Sequence, residues 1–271
     1  MSSTVRESMA GRLDGQPFDA SKYWAKRLHR SASLEATGTL PFDGRYQQWL
    51  YRLKEAAIHR ALRPWRDRLR GASVLNVGCG GGYFEPFFAA CGASQLMGVD
   101  FVASAVERLQ ADRPEFEYAV ADLSQPLPPS LVGRSFDLVT AIDVLYHIVD
   151  DNLFARALEN LCSLCRPDGG MLLWTDAPGR VTEQNATHCR YREPADYSRI
   201  LAKRELSLAR STPMYCCFDV YTSWSERFAR YPRLTYRAMY AFDRLFATRN
   251  WRRTTNHCFV AVHGQTGGMP R

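Results

Sequence analysis

The feature that most constrains this chain is a short apolar run that stops at a cluster of four glycines. Residues 74–84 read VLNVGCGGGYF. This pattern predicts a buried strand that turns tightly into a helix. Glycine permits unusual backbone angles, its missing Cβ lets a ligand approach the main chain, and a helix N-terminus offers free N–H groups and a partial positive charge. The stretch therefore predicts a site for a nucleotide-like cofactor.

The spacing of the glycines narrows the choice of cofactor. The dinucleotide fingerprint G-x-G-x-x-G fails in both registers, because it ends at Tyr83 when counted from Gly78 and at Glu85 when counted from Gly80. NAD and FAD are therefore disfavoured, and the chain also lacks the G-x-x-x-x-G-K-[ST] pattern of a P-loop. The next predicted strand ends at Asp100, within the spacing of about 20 residues that such folds use for an acid that binds a ribose.

The glycine run and Asp100 together resemble motif I and the acidic motif II of class I S-adenosylmethionine (SAM) methyltransferases. Residues 136–148, FDLVTAIDVLYHI, resemble motif IV of the same family, and residues 164–170 resemble its L-x-P-G-G turn with one extra residue. The resemblance covers residues 18–30 and 74–176 and is nearest to the small-molecule branch of methyltransferase types 11 and 12.

The resemblance implies an α/β fold: a doubly wound, seven-stranded, mostly parallel and Rossmann-like sheet with N-terminal helices and an aromatic-rich lid. We expect a disordered or frayed N-terminus at residues 1–17, helices over the cofactor site at 18–73 and the SAM-binding core at 74–271. Lid insertions are expected at 176–204 and 212–257. The aromatic residues of the second insertion indicate either an apolar substrate cavity or simple packing between helices.

The resemblance also implies which residues of the core bind SAM. Asp100 should accept hydrogen bonds from the ribose hydroxyls, although an acid at the end of a strand can instead cap a helix. Phe101 is suited to lie against the adenine. Asp122 should receive the adenine amino group, with the backbone of Leu123 close by, and its alternative role is in a plain turn.

The N-terminal helix contributes the rest of the implied cofactor site. Tyr23 and Trp24 would cover the cofactor and Arg27 would meet its carboxylate, unless this segment is only an amphipathic docking helix. The full set of expected cofactor-binding residues is Tyr23, Trp24, Arg27, Gly78, Cys79, Gly80, Gly82, Asp100, Phe101, Asp122, Leu123 and Ile142.

Three residues are candidates for catalysis. If a helix begins at Asp143, then Asp143 and His147 lie on one face and could orient a proton acceptor, since histidine titrates near neutral pH. His147 could equally pack beside the methionine part of SAM. His188 follows the fifth predicted strand and is a second candidate base. Nearby, Arg190 could hold a substrate carboxylate or phosphate, and Tyr191 is expected to contact the substrate.

Composition limits the partners. The chain has a net charge of +7, and only four of its 35 basic residues are lysine. Because the arginines are scattered, we expect a small-molecule partner rather than nucleic acid.

The first residues lack the apolar core of a signal peptide and no apolar run would span a bilayer, so we expect a cytoplasmic protein without a membrane partner. Cys162-x-x-Cys165 lacks a second cysteine pair, so no metal site is expected. The oligomeric state, monomer or homodimer, is left open.

These features predict an enzyme: a SAM-dependent methyltransferase that transfers a methyl group to an O or N atom of a small-molecule, biosynthetic substrate. The missing N/D-P-P-Y/F tetrapeptide argues against methylation of amino groups on nucleic-acid bases or on protein glutamine. An RNA methyltransferase is one alternative. A non-catalytic partner subunit with the SAM fold is another, which the joint presence of Gly78, Gly80, Asp100 and Asp122 opposes.

Overall fold

The chain alternates strands and helices from residue 73 onwards. The computed structural model describes residues 19–30, 44–177, 182–186, 188–215, 232–246 and 256–264. In chain order the elements are α1 (Ala20–Arg30), α2 (Gly44–Leu62), β1 (Ser73–Val77), α3 (Phe84–Ala90), β2 (Gln95–Asp100), α4 (Ala103–Asp112), β3 (Glu117–Val120), β4 (Leu138–Ala141), α5 (Asp151–Ser163), β5 (Met171–Asp176), β6 (Glu183–Ala186), β7 (Cys189–Tyr191), α6 (Pro194–Ala202), β8 (Leu206–Pro213), α7 (Pro232–Phe246) and β9 (His257–His263).

A seven-stranded sheet has the order β3-β2-β1-β4-β5-β9-β8. The pairs from β3 to β5 are all parallel, whereas β9 runs antiparallel between β5 and β8. The predicted seven-stranded, mostly parallel sheet is therefore confirmed. The strand order reverses between β1 and β4, and in such sheets ligands bind at that switch point, beyond the carboxyl ends of the strands.

Two hydrophobic layers cover the sheet because successive side chains of a strand point to opposite faces. Leu75 and Leu172 belong to one cluster, which includes residues of α5 and α6. Val74 and Leu173 belong to the other cluster, which includes residues of α2 and α3. Both faces are therefore buried, which is why the strands are near-continuous apolar runs.

The second N-terminal helix is shorter than its apolar spacing predicts. That spacing indicates one helix over residues 46–70, but α2 ends at Leu62 and a 3₁₀ segment follows at Arg63–Leu69. Pro64 lies in the first turn of this segment, and proline lacks the N–H group that a continuing α-helix would need.

The two predicted lid insertions contain elements that pack against the body of the protein. In the first, α6 contributes Tyr197 and Leu201 to the core under the sheet. In the second, α7 packs on α2, with Tyr236 5.6 Å from Tyr46 between ring centroids. These elements are therefore part of the packed body of the protein, and the lid stays a prediction.

Several expectations fall on residues outside the described part of the chain. They include the frayed N-terminus at 1–17 and most of the aromatic-rich second insertion, at 216–231 and 247–255. Across the described residues, none of the helices has the combination of length and apolar character that crossing a membrane requires.

Candidate functional site

The glycine turn after β1 touches the loop that follows β4. Gly78 has a φ of +71°, a conformation that residues with a Cβ rarely adopt. A Cβ placed on it would lie 2.4 Å from Cγ2 of Val144. Any side chain at position 78 would therefore collide with the loop that carries the catalytic candidates.

The N–H groups of this turn are used to hold it in place. The amides of Gly78 and Cys79 both donate to the carbonyl oxygen of Val99, at 2.8 and 3.0 Å. The amide of Gly80 donates to Oδ2 of Asp100 at 2.9 Å. These three amides therefore fasten the turn to β2 and its final residue, and the expectation of free N–H groups at the N-terminus of the following helix stays a prediction.

Asp100 is buried at the end of β2, with 5% of its surface exposed. Its Oδ1 accepts a hydrogen bond from the amide of Val102 at 3.0 Å, just before α4, while its Oδ2 binds Gly80. Burial raises the pKa of this carboxyl, and the amide hydrogen bonds oppose the increase. Asp100 thus joins the glycine turn to the start of α4, and Phe101 beside it is 36% exposed.

Asp122 forms a local turn, while adenine binding by this residue stays a prediction. Its Oδ1 accepts hydrogen bonds from the amide and the hydroxyl of Ser124, at 2.9 and 2.6 Å. This arrangement is an Asx turn. Its neighbour Leu123 and the more distant Ile142 are both 6% exposed and belong to the hydrophobic core, so only their backbones are suited to a ligand.

The first helix crosses from the cofactor side of the site to the loops beyond β4 and β5. Leu28 packs against the start of α4. Trp24 meets His147 edge-on at 5.0 Å, and Tyr23 stacks on His188 at 5.4 Å between ring centroids. The two aromatic residues that were expected to cover the cofactor therefore cover both candidate bases.

Arg27 lies on the same helix and is held by those aromatic rings. One of its terminal nitrogens donates to the Tyr23 hydroxyl at 3.0 Å, and its guanidinium carbon lies 5.1 Å from the centre of the Trp24 ring. Such cation–π contacts orient the guanidinium.

The helix expected to begin at Asp143 does not form. Asp143 has a φ of +57°, and only a short 3₁₀ turn follows at Leu145–His147. The i, i+4 relation expected between Asp143 and His147 is therefore wrong.

Instead, the Asp143 carboxylate is bound on both oxygens. The Thr175 hydroxyl donates to Oδ1 at 2.8 Å, and the Lys54 ammonium pairs with Oδ2. Burial alone would raise the pKa of Asp143, but Lys54 and Thr175 hold it below its usual value. This carboxylate braces the loop and is poorly suited to accept a proton from a substrate.

Lys54 is a site residue that the sequence reasoning missed. It is 4% exposed on α2, and its ammonium lies 4.3 Å from the centre of the Tyr51 ring. A signal was available, because lysine is rare in this chain and Lys54 follows the buried Leu50 by four residues on the apolar side of the helix. A lysine on a buried face requires a partner.

The two candidate histidines stack on each other, 5.7 Å apart and 16° from parallel. Nδ1 of His147 donates to the carbonyl oxygen of His188 at 2.9 Å, which leaves Nε2 as the acceptor nitrogen of a neutral ring. Burial lowers the pKa of His147 to about 4, and burial together with the Arg27 charge lowers that of His188. Both rings are therefore neutral near pH 7 and able to accept a proton, although a low pKa weakens a base.

A thiol completes this group of side chains. Sγ of Cys189 lies 3.6 Å from Nδ1 of His147. The potential metal-binding atoms of His147, His188 and Cys189 all lie within 4.8 Å of one another. Spacing rules for cysteine pairs could not find this set, because position 147 is far from 188 and 189 in the sequence.

The predicted substrate residues differ in how available they are. Nε and Nη2 of Arg190 bind the two carboxylate oxygens of Asp151, at 3.0 and 2.9 Å. This fork-to-fork pairing uses the face of the guanidinium that a substrate carboxylate would need, so the arrangement does not support the expected role. The Tyr191 ring lies 5.8 Å from that of Tyr146, beside the histidine pair.

A second buried acid closes the carboxyl end of β5. Asp176 is fully buried, accepts a hydrogen bond from the Tyr197 hydroxyl and accepts another from the amide of Ala177 at 2.6 Å. Burial raises the pKa of Asp176 to about 7, against the lowering effect of these hydrogen bonds. This group therefore titrates near neutral pH, unlike the braced carboxylate of Asp143.

Solved structures share the fold described above. A magnesium protoporphyrin IX methyltransferase from Synechocystis PCC 6803, crystallised with bound SAH, aligns over 90% of this chain and 98% of its own, with a TM-score of 0.56 and 19% identity. The N-methyltransferase NodS from Bradyrhizobium japonicum WM9, in complex with S-adenosyl-L-homocysteine, aligns over 89% of this chain and 97% of its own, with a TM-score of 0.52 and 16% identity.

Sequence comparisons find methyltransferases. A ubiquinone biosynthesis O-methyltransferase of Neisseria meningitidis serogroup C is 37% identical over 109 residues, which are 37% of this chain and 42% of that protein. A probable S-adenosylmethionine-dependent methyltransferase of Mycobacterium tuberculosis is 31% identical over 168 residues, which are 59% of this chain and 56% of that protein. The chain thus spans about half the length of these curated relatives. A family model described as a methyltransferase domain matches residues 46–210, and the chain therefore belongs to the methyltransferase domain family.

Proposed function

We propose that the chain is a SAM-dependent methyltransferase that methylates an O or N atom of a small biosynthetic molecule. One observation carries this proposal: the glycine turn after β1 and the histidine pair after β4 and β5 lie at the same edge of the sheet. The contact of Gly78 with Val144 joins the two parts. The names of the relatives, which include ubiquinone biosynthesis O-methyltransferases, support an acceptor of this class.

The cofactor side fits SAM in two respects. Asp100 places a carboxylate at the end of β2, where a ribose is bound in doubly wound folds. Phe101 is exposed next to it and offers an apolar surface for a base. When bound, SAM supplies an electrophilic methyl group.

The chain's own residues would orient the acceptor and receive its proton. Tyr23 and Trp24 pack over the two imidazoles and shield one side of each from water. Nε2 of His147 is the acceptor nitrogen, because the His188 carbonyl holds the proton on Nδ1. A hydroxyl acceptor needs such a base, whereas an amine that binds in its neutral form needs only alignment, which is worth up to about 7–11 kcal/mol.

Other expectations stay predictions. They include the roles of the individual cofactor residues, the cytoplasmic location and a small molecule rather than RNA as the partner. None of the contacts in the described part of the chain favours RNA specifically, so we keep the RNA methyltransferase only as an outcome of the experiment.

The proposal is tested by incubating the full chain with SAM and measuring S-adenosylhomocysteine formation. The acceptor panels are phenols, carboxylic acids and amines of small-molecule size, with total RNA as a separate sample. We expect turnover with at least one small-molecule class, most readily with a hydroxyl acceptor. Turnover with RNA alone would replace the proposed acceptor, and no turnover with any panel despite SAM binding would favour the non-catalytic partner subunit.

A further inference from the structure

We propose that His147, His188 and Cys189 form a binding site for Zn²⁺, or for another divalent cation that prefers sulfur and nitrogen ligands. Three protein ligands would leave one coordination position for a water molecule or for the substrate. This is the arrangement of catalytic rather than structural zinc sites.

The spacing of the ligand atoms fits a tetrahedral ion. Zinc bonds of about 2.3 Å to sulfur and 2.0–2.1 Å to nitrogen place the two ligand atoms about 3.6 Å apart at a tetrahedral angle. Sγ of Cys189 and Nδ1 of His147 are 3.6 Å apart. The binding atom of His188 lies within 4.8 Å of both, so the three candidate ligand atoms surround one common position.

Two electron-pair donors, an oxygen and a sulfur atom, face the same nitrogen of the His147 ring. Its Nδ1 faces both the carbonyl oxygen of His188 and the sulfur of Cys189, yet a single Nδ1 proton can bond well to only one of them. On metal binding, that proton would move to Nε2 and the lone pair of Nδ1 would bind the ion. The Cys189 thiol would lose its proton to solvent, so one proton is released for each ion bound.

The surrounding charges select the kind of metal. The Arg27 guanidinium binds the hydroxyl of Tyr23, whose ring stacks on His188, and its positive charge opposes any cation at this position. Mg²⁺ and Ca²⁺, which prefer oxygen ligands, would gain nothing here to offset that repulsion, because Asp143 is already paired with Lys54. The strong bonds of Zn²⁺ to thiolate and imidazole offset it.

If the proposed function is correct, the open coordination position lies beside the acceptor group. A bound Zn²⁺ would hold a hydroxyl acceptor as its anion, and it would replace Nε2 of His147 as the cause of deprotonation. This consequence rests on the proposed function, whereas the metal site itself does not.

The experiment uses the full chain, stripped of metal with a chelator and titrated with Zn²⁺ by calorimetry. Co²⁺ is then bound in place of Zn²⁺ to look for the absorption band of a thiolate–cobalt bond. Cys189→Ser removes the proposed sulfur ligand. Cys91→Ser is the matched control, because Cys91 is a free, half-buried thiol at the end of α3. Thermal unfolding shows whether each variant is folded.

We expect the wild type and Cys91→Ser to bind one Zn²⁺ with equal affinity and to show the cobalt band. Cys189→Ser should lose the band and bind Zn²⁺ more than about 100-fold more weakly, since even the loss of outer-shell partners costs 10–100-fold. His147→Gln should weaken binding in the same way, with the band kept at high Co²⁺ concentration.

Failure of the metal site and failure of the methyltransferase function can be told apart by titrating the same samples with SAM. A wild type that binds SAM but no Zn²⁺ overturns the metal site alone, and so does a Cys189→Ser variant that binds Zn²⁺ like the wild type. A protein that binds Zn²⁺ through Cys189 but binds no SAM keeps the metal site and contradicts the proposed function.

Discussion

The two halves of the candidate site are built in different ways. The cofactor half consists of neighbouring segments, with Gly80 bound to Asp100 only 20 positions later. The acceptor half joins segments from across the chain: Asp143 binds Lys54, which is 89 positions away, and His147 binds the carbonyl of His188, which is 41 positions away. Backbone amides that donate to Val99 and to the Asp100 carboxylate hold the first half, and bonds between distant charged or titratable residues hold the second. The difference teaches that local motifs specify the cofactor half, whereas tertiary packing creates the acceptor half.

The largest effect should come from removing the acceptor nitrogen. If the methyl acceptor is a hydroxyl, we expect His147→Ala to lower kcat by about 10²–10⁴-fold, because the base in the transition state is lost. SAM affinity should stay close to that of the wild type. The measurement is kcat across pH together with SAM titration. Equal kcat values for the variant and the wild type at every pH would remove His147 from the reaction.

The next largest effect is a loss of stability at higher pH, which we expect from ionisation of the buried Asp176 carboxyl. Its pKa is about 7 in the folded protein, against 3.8 as its usual value. The folded state therefore binds more protons between pH 4 and 7, so stability decreases as pH rises through this window, by up to about 4 kcal/mol. Burial lowers the pKa of His147 to about 4, which makes stability increase with pH in the same range. This contribution is the same in the wild type and in an Asp176 variant.

The comparison is therefore between the wild type and Asp176→Asn, unfolded with urea at pH 5 and at pH 8. The loss of stability between the two pH values should be larger in the wild type, because asparagine cannot ionise. Equal losses in the two proteins would mean that Asp176 keeps an ordinary pKa.

Breaking the ion pair that joins α2 to the acceptor half should lower the unfolding free energy by somewhat less than the pH change does. Lys54→Met leaves the Asp143 carboxylate without its cation, and we expect a loss of about 2–3 kcal/mol of unfolding free energy, below the 3–5 kcal/mol of a fully buried pair. The reason is that the Asp143 side chain keeps 23% exposure.

Lys203→Met is the matched control for this substitution. Lys203 lies 3.7 Å from Glu159 at the surface and is 62% exposed, so its loss should cost at most about 1 kcal/mol. Adding Asp143→Asn to Lys54→Met should recover part of the stability, since no charge is then left unpaired. Urea unfolding that gives the same loss for both lysine variants would contradict the buried pair.

The smallest effect is expected for Arg190. Arg190→Ala removes a partly exposed pair with Asp151, so stability should fall by less than about 1 kcal/mol. Because its guanidinium faces Asp151, KM for the acceptor should also stay close to the wild-type value. An increase of KM by tenfold or more would show that Arg190 leaves Asp151 to bind substrate, as the sequence predicts.

The sequence predicts those parts of the molecule in which neighbours along the chain also determine the structure. The strand before Gly78 and the acid Asp100 at the end of the next strand are both found where the local pattern places them. Each depends on the conformation of a few consecutive residues.

The sequence does not predict contacts that only the folded chain creates. Asp143 adopts a left-handed conformation because Lys54 and Thr175 hold its carboxylate, and no local pattern contains those partners. The pairing of Arg190 with Asp151 and the approach of Cys189 to His147 depend in the same way on how β6 and β7 fold back over the loop after β4.

The most direct test of the account is to titrate SAM by calorimetry into the wild type, Asp100→Ala and His147→Ala, with NADH as the competitor. We expect the wild type to bind SAM with micromolar-scale affinity and NADH not to compete, because the glycine spacing does not fit a dinucleotide. Asp100→Ala should bind about 10–150-fold more weakly, equivalent to the 1.5–3 kcal/mol of lost charged hydrogen bonds, while His147→Ala should bind like the wild type. Displacement of SAM by NADH, no SAM binding by the wild type, or equal losses in the two variants would contradict the division of the site into a cofactor half and an acceptor half.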